Sequence, residues 1–108
     1  MPPNPERVQA LRELRARDPR DPFPGYALAM ELAKGPGTEE ESVAIFRDVC
    51  SGSPDYVPAW FQLGLLLSRR GDTAAAREAF ERGIEAAGRT GEAHAAGEIR
   101  GALDALGG

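Results

Sequence analysis

Cysteine, histidine and tryptophan each occur once in this 108-residue chain, and aromatic residues make up only 6% of it. A single thiol, Cys50, forms no internal disulfide and no cysteine-rich metal site, so the sequence predicts a fold held by packing and suited to the reducing cytoplasm. Cys50 itself reads as a small, semi-buried hydrophobe. Long apolar runs are missing too. The densest, Trp60 to Leu67, is far below the ~20 residues that cross a bilayer, and Met1 to Arg12 contains no apolar export core. Neither export nor a membrane role is therefore expected. Lysine is nearly absent: twelve of the thirteen cationic residues are Arg, which with abundant Ala and Gly fits a GC-rich bacterial genome.

What is present is an ordinary soluble balance, with 42% hydrophobic and 28% charged residues, which argues against a disordered tail. The length predicts a single domain, 1–108, with an economical core. Net charge is −4, and it is unevenly spread: five Arg outweigh Glu6, Glu13 and Asp18 in residues 1–20, whereas seven acids face only Lys34 and Arg47 in residues 21–55. No large basic surface emerges, so nucleic acid is not an expected partner.

Helical periodicity runs through the chain. Asn4-Pro5-Glu6 is a helix start, with a capping side chain, a proline preset for the first turn and an acid at the positive helix end. Val8, Leu11 and Leu14 give a narrow apolar stripe, and Asp18-Pro19 ends this N-terminal helix, 4–17. A second helix begins at Pro24 and stops at Gly35-Pro36-Gly37. Thr38 with Glu41 three residues on predicts a capping box at the start of a third, which carries Val43, Phe46, Val49 and Cys50. Helices from Val57 and from the 70s follow, and a last one spans Glu92 to Leu106.

Six like-for-like pairs recur at one offset. Tyr26 and Trp60 (both large aromatics), Phe46 and Phe80, Pro24 and Pro58, Leu32 and Leu66, Asp21 and Asp55, and Gly37 and Gly71 are each 34 residues apart. Within the second copy Trp60, Leu63, Gly64, Leu67, Gly71, Ala76 and Phe80 stand at the spacings W-x2-L-G-x2-(large)…A-x3-F, which resemble the tetratricopeptide repeat (TPR), a helix–turn–helix unit 34 residues long. Units at 23–56 and 57–90 with a capping helix at 91–106 follow from the resemblance. The implied fold class is all-α: a right-handed helical repeat of about six helices, similar to small stand-alone bacterial members of the family. Gly64 and Ala76 then keep helix backbones close while Phe46 and Phe80 fill the space beside them. The first unit departs from the pattern, with Ala29, Met30 and Ser42 where Leu, Gly and Ala are usual; Gly88 replaces the second unit's closing proline.

The resemblance implies a non-catalytic protein-interaction module, a scaffold whose first helices line a concave groove for a peptide or amphipathic helix. Groove positions correspond to Ala27, Glu31, Phe61, Gln62, Leu65, Ala95 and Ile99. Phe61 and Leu65, one turn apart, are the apolar remainder of a helix that is hydrophobic on several sides, and they are either covered by adjacent helices or exposed for a partner. Family members that clamp a terminal carboxylate use Lys, Asn and Arg here; this chain has none of them at those positions, so an apolar or amphipathic helix with a basic flank for Glu31 is the expected ligand. The alternative is a homodimer formed through the same face. An enzyme is not expected: His94 and Glu98, four apart, make an incomplete metal site, and Gly35-Pro36-Gly37 lacks the continuation of a phosphate loop. No cofactor, catalytic residue or metal ligand is assigned. The group Arg12, Arg15, Arg17 and Arg20 reads as a solvated helix end.

Overall fold

Prolines and short polar caps decide where the helices begin. In the computed structural model, which describes residues 1–107, helix α1 covers Pro5–Arg17, and the Asn4 side chain accepts the Glu6 and Arg7 N–H groups at 3.0 and 3.1 Å. Helix α2 (Pro22–Leu32) starts two residues before the expected Pro24, because Asp21 accepts the Phe23 N–H at 3.0 Å and caps the earlier position. A 3₁₀ turn, Pro36–Thr38, leads to α3 (Glu39–Gly52). The capping box predicted there does not form. The Thr38 hydroxyl donates instead to the carbonyls of Leu32 (2.5 Å) and Gly35 (3.2 Å), and Glu41 is claimed by the Arg12 guanidinium at 2.7 and 3.1 Å.

Helix α4 (Val57–Arg69) ends at Gly71, whose φ of +85° is a left-handed turn that side chains resist. Asp72 caps α5 (Thr73–Thr90) by accepting the Ala75 N–H at 3.2 Å, and α6 (Ala93–Ala105) follows a second left-handed glycine, Gly91. Among the described residues the fold is all-α, with six α-helices and no strand. Gly37 and Gly71, paired by the 34-residue offset, therefore do different work, since Gly37 lies in the 3₁₀ turn without a positive φ.

Backbone contacts divide the chain into two compact units, Met1–Ser53 and the residues from Pro54 onward. In the first, α2 packs against both α1 and α3. Leu28, Leu32 and Phe46 are fully buried, and the Phe46 ring meets Tyr26 edge-on with centroids 6.2 Å apart. Ser42 is also fully buried; its hydroxyl donates to the Ala29 carbonyl at 2.6 Å, so the polar atom is satisfied inside the core.

The second unit is built on α5, which packs against α4 and α6. Here small residues set the helix spacing. A Cβ on Gly64 would lie 2.3 Å from the Phe80 ring, and one on Gly83 would lie 3.1 Å from both Ile99 and Trp60. Ala76, Ala79, Ala86 and Ala87 bury the rest of the same α5 face. Trp60 Nε1 donates to the Pro54 carbonyl at 2.9 Å, and Arg89 pairs with Asp55 at 2.7 Å, which ties the start of this unit to the end of α5.

Candidate interaction face

Helix α4 carries no charged side chain before Arg69, and its buried positions, Val57, Ala59, Leu63, Gly64, Leu66 and Leu67, account for one broad side. Phe61 and Leu65 lie off that side. Phe61 is half-buried, with its ring centroid 6.3 Å from that of Phe80, so it leans on the core of its own unit. Leu65, one turn on, is 40% exposed. Gln62 is half-buried beside them. The expected pair is thus split: one residue rests on the core and the other reaches water.

On α6, Ala95 is half-buried at the surface, whereas Ile99 is 0% exposed and fills the space over Gly83. Ile99 is core, not contact surface, because the glycine opposite lets α6 approach until its side chain is enclosed. In the first unit Ala27 is half-buried, and Glu31 departs most from expectation. Its side chain is only 4% exposed. The carboxylate accepts the Asn4 N–H at 2.9 Å and pairs with Lys34 at 3.0 Å and Arg7 at 3.3 Å. The Asn4 N–H, followed by the Lys34 ammonium, holds the Glu31 carboxyl below the usual carboxylate range. The basic flank anticipated from a ligand is supplied from within, by α1 and the end of α2, and Glu31 is withdrawn from any docking face.

The Arg group is divided as well. Arg12 grips Glu41 with two hydrogen bonds, which lowers the Glu41 carboxyl and raises the guanidinium, and Arg15 reaches Asp48 at 3.4 Å. A cleft of about 350 Å³ opens among Arg15, Arg20, Pro22, Gly25 and Val49. Sequence reading missed it; on its wall Gly25 allows a close approach, since a Cβ there would sit 2.8 Å from Val49 and 3.3 Å from the Arg15 Nε.

Other reactive groups offer little chemistry. Burial pushes the Cys50 thiol up to about 12, where almost no thiolate exists at neutral pH. His94 is 92% exposed and lies 3.6 Å from Glu98 on the outside of α6. Among the described residues no three His, Cys, Asp or Glu side chains gather to hold a metal, and no helix is long and apolar enough to cross a membrane.

No protein-family model matches the chain, and no curated protein matches it. Solved structures do. The solution structure of a tetratricopeptide repeat domain protein from Salinibacter ruber superposes with a TM-score of 0.76 at 33% identity, over 83% of this chain and 90% of that one. A crystal structure of a tetratricopeptide repeat domain protein from the same organism gives 0.74 at 33% identity, over 82% and 98%. The solution structure of a Bordetella parapertussis protein gives 0.75 at 26% identity, over 92% and 85%. An all-α helical repeat with this spacing of small and aromatic residues, and this identity to its relatives, defines the class. The chain belongs to the tetratricopeptide repeat family. Membership supports a protein-interaction module in the general sense, on a fold used for binding more than for catalysis.

Proposed function

We propose that the chain is a non-catalytic docking module of the bacterial cytoplasm, and that the α4 surface bearing Phe61, Gln62 and Leu65, with Ala95 of the same unit, receives an apolar peptide or one side of an amphipathic helix. The observation that carries this reading is Leu65: a leucine 40% exposed, one turn from a half-buried phenylalanine, on a helix without charge until Arg69. Glu31 and Ile99 belong to the interior and are left out of the contact set, and Ala27, half-buried in the first unit, is left out with them.

Leu65→Glu is the informative variant, because Phe61→Glu would also place a charge beside Phe80. Light scattering of wild type and variant comes first, with circular dichroism to verify equal helix content. A wild-type monomer that captures a protein from the source organism's lysate, where Leu65→Glu captures none, supports the docking reading. A wild-type dimer that Leu65→Glu converts to monomer shows that the same surface pairs two copies instead. Equal behaviour of the two proteins in both assays would sink the assignment of this surface.

A further inference from the structure

Helix α1 is fastened largely by charge. Of its thirteen residues only Leu11 is buried, Val8 is half-buried, and Leu14 is 46% exposed. Such a stripe is too narrow to hold a helix by apolar burial alone. Charge makes up the difference. Reading along α1, the Asn4 N–H and Arg7 meet Glu31 of α2, Arg12 meets Glu41 of α3, and Arg15 meets Asp48 of α3. Close backbone approach adds one more tie: Pro3 lies where a Cβ on Gly35 would be, 2.7 Å from its Cδ.

Two surface clefts border α1. One, of about 400 Å³, is lined by Arg12, Arg15, Ala16, Pro19 and Leu28, and it adjoins the one that Gly25 and Val49 line through the shared Arg15 and Pro19. The connection to α2 is a short turn, Asp18 to Asp21, closed by a single backbone hydrogen bond of 3.1 Å. By contrast α2 and α3 share Leu28, Leu32, Ile45, Phe46 and the buried Ser42 link, none of which depends on α1's arginines.

We propose that α1 is a detachable strap, pinned across α2 and α3 chiefly by its arginines, which lifts as one element when those ion pairs are screened and uncovers a trough lined by Leu28, Gly25 and Val49 and edged by Glu31, Glu41 and Asp48. The opening is local. The α2–α3 pair keeps its own core and stays folded while the strap is away. In the closed state the arginine-bearing helix is itself the ligand of that acid-edged trough.

Hydrogen exchange of the full chain, read by mass spectrometry at about 50 mM and about 1 M NaCl, tests this directly, since the screening length falls from beyond the ion-pair spacing to roughly that spacing. The amides of α1 are expected to exchange roughly tenfold faster at high salt, with those of α2 and α3 unchanged. Arg12→Gln should raise α1 exchange at low salt, and the exchanged pair Arg12→Glu with Glu41→Arg should restore protection. Exchange of α1 in step with α2 and α3 at both salts overturns the strap, as does an Arg12→Gln variant whose α1 amides are as slow as wild type.

Discussion

In the second unit a glycine lies beneath a phenylalanine, Gly64 under Phe80, and the helices close onto each other through hydrogen-sized gaps. In the first unit the residue 34 positions earlier is Met30, half-buried, and the small position opposite is Ser42, which ties α3 to α2 through a hydroxyl bonded to the Ala29 carbonyl. The flanking helices differ in the same sense. Helix α6 seats Ile99 and Ala96 in the core, while α1 seats Leu11 and relies on ion pairs. One repeat frame thus accommodates two ways of joining helices, one by close approach of small and aromatic groups, the other by directed polar bonds. The first does not depend on charge screening and is intolerant of added volume; the second has the opposite weaknesses.

The largest test removes what the units have in common. Phe46→Ala and Phe80→Ala each delete a ring that is 1% exposed, and each is expected to cost about 3–5 kcal/mol. Against a typical stability of ~5–15 kcal/mol, chemical denaturation should show a much lower midpoint for both. If Phe80→Ala were mild while Phe46→Ala was severe, the glycine beneath Phe80 would have let α4 and α5 collapse into the cavity, and the two aromatics would no longer count as equivalent.

A smaller substitution separates close approach from open helix surface. Gly64→Ala puts a Cβ 2.3 Å from the Phe80 ring and is expected to destabilise by about 1–3 kcal/mol. Gly97→Ala on α6 meets nothing within 4 Å and replaces a poor helix former by the best, so it should stabilise by about 0.5–1 kcal/mol. Thermal denaturation of the two variants should therefore move in opposite directions. A Gly64→Ala protein as stable as wild type would show that Phe80 swings aside, and that close approach is not what sets the α4–α5 spacing.

How much of this was legible in the sequence follows the range of the interactions. The Asn4 cap and the stop at Gly35-Pro36-Gly37 were readable because the groups that start or end a helix are neighbours in the chain. Phe46 and Phe80 were readable through the 34-residue period, which reports a packing role even without coordinates. The capping box at Thr38 and Glu41 failed because Arg12, distant in sequence, offers Glu41 two charge-assisted bonds that outweigh one local bond to the backbone. Glu31 failed for the same reason: the repeat pattern places it on the ligand face, but nothing local tells that the chain's own first helix lies against it. Leu65 was singled out with Phe61, and only packing on Phe80 distinguishes them.

The smallest expected effect appears in acid and belongs to the first unit. Glu31 has a folded pKa below its unfolded value, chiefly through the Asn4 N–H and then through Lys34, and Glu41 is lowered in the same direction by Arg12. The stabilisation from such groups is fully present above the unfolded value of about 4.3 and is lost as pH falls through the lower folded values. Each carboxyl that takes up a proton on unfolding lowers stability by at most about 1.4 kcal/mol per pH unit within that window. Amide NMR spectra recorded from about pH 5 to about pH 3 should therefore show α1 and α2 resonances losing native positions at higher pH than those of α5. Glu31→Gln should weaken that dependence while leaving the part due to Glu41. If α1, α2 and α5 lost their native resonances together, and Glu31→Gln titrated like wild type, the first unit would be held by apolar packing as the second is, and the contrast between them would reduce to the choice of Met30 over glycine.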